Sequence, residues 1–379
     1  MRVAGIMSGT SLDGIDVAIV DITGAGWNRK IRPLALGSAP YSATLRREIL
    51  SVSNTEAHVA TISRLHTRLG ELYARAVEKV CRANKLRVSS LDLIGCHGQT
   101  IFHDGDGAPF LGKKIATTMQ IGDGDVIAER TGVPVVSDFR GRDMAAGGRG
   151  APLVPFVDYF LYRHRRRGRV ALNVGGIANI TAIPPAAKTD EVLAFDTGPG
   201  NMVIDALAAV YSEGKARYDR NGRLAARGHV SSSLLKVLLR GPFFRQRPPK
   251  TAGREQYGSE FVERLVDSGL KMEDLAATAT AFTAASIALG INRFVRPCMP
   301  VDELIASGGG VHNPRLMAYL AAFLPGVRIR TSDEFGIDVD GKEAIAFAIL
   351  AYETWHRRPS NLPSATGAEQ AVILGKISY

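Results

Sequence analysis

Four times in this chain an apolar run ends in a turn built largely of glycine. Residues 3–7 lead into Ser8-Gly9-Thr10-Ser11-Leu12-Asp13-Gly14, residues 170–174 into Gly175-Gly176, residues 193–196 into Thr197-Gly198-Pro199-Gly200, and residues 303–306 into Gly308-Gly309-Gly310. In the first two cases a second strand-like run follows at once, over 16–22 and 177–183. Each is therefore a strand, a glycine turn and a strand, and the second copy echoes the first roughly 165 residues later, which marks an internal repeat of architecture. The chain holds 40 Gly in 379 residues, above the usual ~7% and with no collagen-like period. Such an excess marks unusual backbone angles or close backbone approaches.

The rest alternates between the two regular periods. Val59, Ile62, Leu65, Leu69, Leu72, Ala76 and Val80 recur at spacings of three and four, which predicts one long amphipathic helix. Strands are expected over 91–96, 115–121, 134–137 and 327–330, with helices over 126–130, 201–210, 232–239, 258–268, 272–294, 314–323 and 342–356. Interleaved strands and helices define an α/β class. At ~150 residues per domain the length suggests two lobes, expected as 1–137 with about 360–379, and 138–359. A cleft between lobes is the natural ligand site.

Hydrophobic residues at 45% and charged residues at 22% exclude a disordered chain. The first residues lack a signal-like apolar run, so the chain is expected to start inside the fold. The apolar stretch 275–292 carries Thr278, Thr280, Thr283 and Ser286 and reads as a buried helix rather than a membrane span. Three scattered cysteines, Cys81, Cys96 and Cys298, imply no disulfide framework and fit a reducing cytoplasm. The net charge is +10, yet the one dense basic run, 163–169, has no interleaved aromatics. It reads as a solvated loop rather than a nucleic-acid site, and the diffuse positive charge suits anionic small substrates.

No Walker motif is present, so a P-loop is excluded. Glycine turns can still cradle phosphate oxygens through backbone N–H groups, with the hydroxyls of Ser8, Thr10 and Ser11 as further donors. Asp13 and Asp16 nearby could hold Mg²⁺ through water. Asp196 ends an apolar strand against a Gly-Pro-Gly turn, a setting where burial raises a carboxylate toward the range of a general base. The competing role, capping the helix after Asn201, is disfavoured by distance. Glu343 alone would read as a surface residue in a helix's first turn. His97, Gln99 and Thr100 form a polar cluster at a strand's C-terminal edge, with His103 beyond. Asp138, Arg140 and Asp143 either line a ligand site or form an Asp–Arg network at the lobe junction.

The string Gly5-Ile6-Met7-Ser8-Gly9-Thr10-Ser11-Leu12-Asp13-Gly14-Ile15-Asp16 closely resembles the opening of the anhydro-N-acetylmuramic acid kinases, in the sugar kinase, Hsp70 and actin superfamily. The resemblance continues through His97-Gly98-Gln99-Thr100, Gln120-Ile121-Gly122-Asp123-Gly124, Asp138-Phe139-Arg140 with Asp143, and Ala145-Ala146-Gly147-Gly148. It goes on through Asn173-Val174-Gly175-Gly176-Ile177-Ala178-Asn179, Phe195-Asp196-Thr197-Gly198-Pro199-Gly200-Asn201 and Gly308-Gly309-Gly310-Val311-His312-Asn313. The segment 248–255, with Lys250, Arg254 and Glu255, resembles the family too, without an assigned chemistry.

The resemblance implies two actin-like (ribonuclease H-like) lobes with a nucleotide and sugar cleft between them. It implies ATP and Mg²⁺ as cofactors, and a reaction in which water opens the 1,6-anhydro ring of 1,6-anhydro-N-acetylmuramic acid as O6 is phosphorylated. It implies Asp196 as the residue activating the water and Glu343 as a contact to the sugar and water. The expected ATP and phosphate set is Gly9, Thr10, Ser11, Leu12, Asp13, Gly14, Ile15 and Asp16, then Gly175, Gly176, Asn179, Gly198, Gly200, Gly308, Gly309, Gly310 and Asn313. The expected sugar set is His97, Gln99, Gln120, Asp138, Arg140 and Asp143, with Arg140 facing the lactyl carboxylate. A homodimer is suggested. A conventional hexose kinase and a non-catalytic actin-like nucleotide-binding regulator are the alternatives, the latter disfavoured by the presence of Asp196 and Glu343.

Overall fold

The structure is a computed structural model that describes residues 1–9, 12–24 and 26–379, apart from the side chain of Arg254. The chain divides into two compact units, Met1–Phe160 with Gly341–Tyr379, and Leu161–Asp340.

In unit 1 the strands β1 (Arg2–Ser8), β2 (Gly14–Thr23) and β3 (Lys30–Pro40) form an antiparallel meander. The long strand β4 (Leu93–Phe110) pairs parallel to β1, and the short β6 (Val135–Ser137) parallel to β4. Strand β5 (Lys113–Ile121) pairs back onto β4, and a C-terminal strand, Lys376–Ser378, closes the edge beside β6. The alternation of β1 explains its two faces. Ala4 and Ile6 join Leu65, Leu69, Tyr73 and Val77 of the helix Val59–Ala83 in one core. Gly5 faces the other way, toward the helix Lys342–Trp355. A Cβ on Gly5 would stand 1.9 Å from the Ala344 carbonyl oxygen, and one on Gly95 in β4 would stand 2.2 Å from that of Phe347. These two glycines let helix backbone rest on strand backbone.

That contact corrects the expected boundaries. Residues 138–160 and 341–359, assigned to the second lobe from sequence, belong to unit 1, because the helix Lys342–Trp355 covers the β1–β4 face.

Unit 2 has strands β7 (Arg169–Val174), β8 (Ile177–Ile183), β9 (Leu193–Pro199), β10 (Glu303–Ser307) and β11 (Arg328–Thr331), in the order β11-β10-β7-β8-β9. Here too the first three strands form an antiparallel meander, and the next two run parallel to the first. Unit 1 has the same arrangement in β1, β2, β3, β4 and β6, so the echo read from the two hairpins is an echo of whole sheets. On one face, Leu172, Ile180 and Phe195 pack against Ala284 and Ile287 of the helix Met272–Gly290 and Leu316 and Leu320 of the helix Pro314–Phe323. The stretch expected as a buried helix is one: Thr280, Thr283 and Ser286 are each fully enclosed in it.

Candidate functional site

In unit 2 the register puts polar residues in a row across four strands. Ser307 on β10 pairs with Asn173 on β7, Asn173 with Asn179 on β8, and Asn179 with Asp196 on β9. Three of the four glycine turns meet beside this row. The Gly175 carbonyl accepts from the Asn201 N–H at 2.8 Å, and the Gly176 carbonyl from the Gly200 N–H at 2.9 Å. Asn201 Nδ2 donates to the Val174 carbonyl at 3.3 Å. Gly308, at φ +83°, leaves no room for a side chain: a Cβ would stand 2.7 Å from Asn173 Oδ1. Gly198, Gly200, Gly308, Gly309 and Gly310 are thus brought together with Gly175 and Gly176. The Asn313 side chain caps the helix Pro314–Phe323 by accepting from the N–H groups of Arg315 and Leu316.

Asp196 is half-buried on β9, the edge strand of this sheet. Its N–H donates to the Lys250 carbonyl at 3.1 Å, and its Oδ2 accepts from the Ala252 N–H at 2.8 Å. Burial pushes its carboxyl up to about 6, partly offset by the Ala252 N–H and the Lys250 charge. It caps no helix: the helix Met202–Tyr211 begins at Asn201, which makes no side-chain cap.

In unit 1 the first glycine turn follows β1. Of its expected residues, Thr10 and Ser11 lie outside those described. Leu12 and Ile15 are buried in the core, so only their backbone could meet a phosphate, and the Leu12 N–H already donates to the Gly9 carbonyl at 3.2 Å. Gly14 opens β2 opposite Pro40. The Ser8 hydroxyl turns inward, 2.8 Å from the Tyr73 hydroxyl and 3.3 Å from the Gly98 carbonyl, which removes it as a phosphate donor. Asp13 is exposed and Asp16 half-buried.

Glu343 is not the surface residue its position in a first turn would suggest. Burial raises its carboxyl; Asp16 and Asp158 push the same way, while Lys342 and Arg140 oppose them. Beside it, Lys342 Nζ and Asp158 Oδ1 form a buried ion pair at 2.9 Å. Arg140 Nε donates to His97 Nε2 at 3.0 Å, and burial brings the guanidinium down to about 10. His97 is buried, and desolvation, helped by the Arg140 charge, drops its imidazole to about 3. Gln99 is buried with Nε2 on the Gly9 carbonyl at 3.3 Å. Gln120 Nε2 reaches the hydroxyls of Thr100 at 3.2 Å and Thr118 at 2.7 Å.

Two residues expected at the sugar have partners in the C-terminal segment. Asp143 is wholly enclosed and takes hydrogen bonds from Asn361 Nδ2, the Thr366 hydroxyl and the Gly150 N–H at 2.6, 2.7 and 2.8 Å. Asp138 pairs with Lys376 Nζ at 2.6 Å. Both tie the C-terminal segment to the rest of unit 1. Sequence reading missed the Lys342–Asp158 pair and the Lys250 contact. Neither has a local signature, because each joins residues more than fifty positions apart.

The shared strand order of the two sheets, each with glycine turns at its strand ends, defines the actin-like fold class. The profile of the family described as anhydro-N-acetylmuramic acid kinase matches residues 1–379, and the chain belongs to that family. Among relatives bearing that name, the protein of Caldanaerobacter subterraneus subsp. tengcongensis is 43% identical over 383 residues, covering 99% of this chain and 96% of its own. That of Bacillus cereus strain G9842 is 44% identical over 384 residues, covering 100% and 99%. That of Salinibacter ruber is 44% identical over 381 residues, covering 99% and 96%.

Proposed function

We propose that this protein uses ATP and water to convert 1,6-anhydro-N-acetylmuramic acid into N-acetylmuramic acid 6-phosphate and ADP. The observation that carries the reading is Asp196, a carboxylate raised to about 6 by burial yet still ionised near neutrality, the state a general base requires. Water attacks C1 and gives its proton to Asp196. The C1–O6 bond breaks, and O6 takes the γ-phosphoryl group in place of a proton, as the base carboxylate of an inverting glycosidase would act with a phosphoryl acceptor step added. Ala252 holds Oδ2, and no described residue donates to Oδ1, which leaves that oxygen for the water.

Glu343, raised by burial, contacts the sugar and the water. Arg140, fixed by His97, meets the lactyl carboxylate. The glycine turns of unit 2 hold the nucleotide phosphates through backbone N–H groups. Among the described residues no three His, Cys, Asp or Glu stand together as a metal cage. Asp16 with Asp13 instead offers the one or two carboxylates beside a phosphate turn that Mg²⁺ accepts through water. When bound, the ion would neutralise phosphate charge. Free Cys81, Cys96 and Cys298 suit a reducing cytoplasm.

Incubation with ATP, Mg²⁺ and the anhydro sugar in ¹⁸O-water tests the reading. Product mass is expected to show one phosphate and one labelled oxygen at C1. A phosphorylated sugar without the added water would point to a conventional kinase, and absence of ADP would remove the kinase reading altogether.

A further inference from the structure

Asn173 opens the motif Asn173-Val174-Gly175-Gly176, in which only the glycines are expected at phosphate. It sits half-buried near the end of β7, on the face of the sheet away from Leu172 and Val174, which lie in the core. The amide has a set direction. Oδ1 is 3.5 Å from the Ser307 hydroxyl on β10 and fills the space beside Gly308, where a Cβ would stand 2.7 Å from it. Nδ2 is turned toward the other glycine turn, 3.9 Å from where a Cβ on Gly175 would lie.

Nδ2 donates to no described residue. The carbonyls on either side of Asn173 already have side-chain donors: Leu172 accepts from the Ser307 hydroxyl at 3.0 Å, and Val174 from Asn201 Nδ2 at 3.3 Å. A half-buried amide donor set between two glycine turns suits a ligand group that only accepts, and an ionised phosphate oxygen is such a group. Being neutral, the amide can meet that oxygen without adding a charge beside Asp196.

We infer that Asn173 donates from Nδ2 to the terminal phosphoryl group of the nucleotide, two strands away from Asp196. The inference rests on the proposed reaction and names a further residue for it. In the polar row, Asn173 pairs with Asn179 and Asn179 with Asp196. Neighbouring strands lie about 4.8 Å apart, so Asn173 and Asp196 are about 10 Å apart across Asn179. The proposed chemistry needs such a separation. A water bonded to the base approaches C1 to about 3 Å, and phosphorus approaches O6 to a similar distance on the far side of the C1–O6 bond, so base and phosphoryl group stand about 10 Å apart. A kinase whose base takes its proton from the very oxygen that is phosphorylated needs only about 6 Å. Two strand spacings fit the first case and exceed the second.

The test is calorimetric binding of ATP, ADP and AMP with Mg²⁺ to the wild type and to Asn173→Ala, Asn173→Ser and Asn173→Asp, with folding checked by thermal melting. Asn173→Ala is expected to weaken ATP about tenfold or more, the scale of one hydrogen bond to a charged group. Asn173→Asp should weaken it further, because a carboxylate repels phosphate. Asn173→Ser keeps a donor and should fall between the wild type and Asn173→Ala. ADP and AMP lack the terminal phosphoryl group, so their affinities should stay within about twofold in every variant. ATP affinity unmoved in Asn173→Ala would overturn the inference. So would equal weakening of ATP and ADP, which is what a general disturbance of the glycine turns produces. Should Asn173→Asp fail to fold, the alanine and serine variants carry the same comparison. A wild type that makes no labelled product from the anhydro sugar would instead defeat the proposed function.

Discussion

Arg140 donates from Nε to His97 Nε2 at 3.0 Å, while His97 Nδ1 faces the Gly98 carbonyl at 2.8 Å. With Nε2 accepting, the proton must sit on Nδ1, so the ring is a neutral, fixed acceptor that aims a guanidinium. The ring also rests against Phe347, with centroids 4.6 Å apart, which joins the β4 edge to the helix that carries Glu343.

His97 is therefore expected to remain neutral well below the usual histidine range, since its imidazole lies near 3. Nitrogen-15 NMR of labelled imidazoles should show an Nδ1-protonated neutral ring down to pH 5. An imidazolium signal from His97 at pH 6 would contradict this geometry. His97→Phe, which keeps a ring against Phe347 but loses the acceptor, should lower kcat/KM by about tenfold or more, the scale of one charge-assisted hydrogen bond.

Asp196→Asn is expected to lower kcat by about 10²–10⁴, the range for loss of a general base, while ATP affinity measured by calorimetry stays within about threefold of wild type. Because the folded carboxyl is raised to about 6, wild-type activity should fall as pH drops through that value and the base becomes protonated. The linkage to stability has the opposite sense. A raised carboxyl binds its proton more tightly when folded, so ionisation above pH 6 costs stability. Melting at pH 8 should accordingly be unchanged or higher in the asparagine variant.

The Lys342–Asp158 pair sits next to Glu343 with both side chains almost wholly enclosed. Lys342→Met alone leaves Asp158 without that charge and is expected to cost about 3–5 kcal/mol in urea unfolding. Lys342→Met with Asp158→Leu should recover much of the loss. A single variant as stable as wild type would show that the pair contributes little.

Asp143→Ala removes the acceptor shared by Asn361, Thr366 and Gly150. Each donor left unpaired costs about 1–3 kcal/mol, so a destabilisation of about 3 kcal/mol or more is expected. The tail that Asp143 ties down should become the first site of limited proteolysis. Cleavage appearing elsewhere first would argue against its role as a tie.

The two hairpins and the long helices were legible because apolar residues repeat at periods of two and 3.6 there. The half-buried strand setting of Asp196 was legible because an apolar run leading into Gly-Pro-Gly is a local pattern. Strand β3 was missed: it contains Pro33, ends at Pro40 and is largely exposed, so it shows no clean alternation. Strand β4 was cut short at Cys96 because Gly98, Gly105 and Gly107 interrupt its pattern, yet it runs on to Phe110. The unit boundary and the contacts of Asp143 and Lys250 were illegible for one reason. Each depends on a partner distant in sequence, such as Gly5 against Ala344, and spacing along the chain carries no trace of it.

Gly5 and Ala344 also set an order of events during synthesis. Unit 2 is one uninterrupted stretch and is complete when residue 340 leaves the ribosome, whereas unit 1 still lacks the helix that covers Gly5 and Gly95. The first 160 residues must therefore wait, with one sheet face bare, until a later-made unit has emerged whole. That interval is when nascent chains are most prone to mispair, and it makes the half that starts first the half that finishes last.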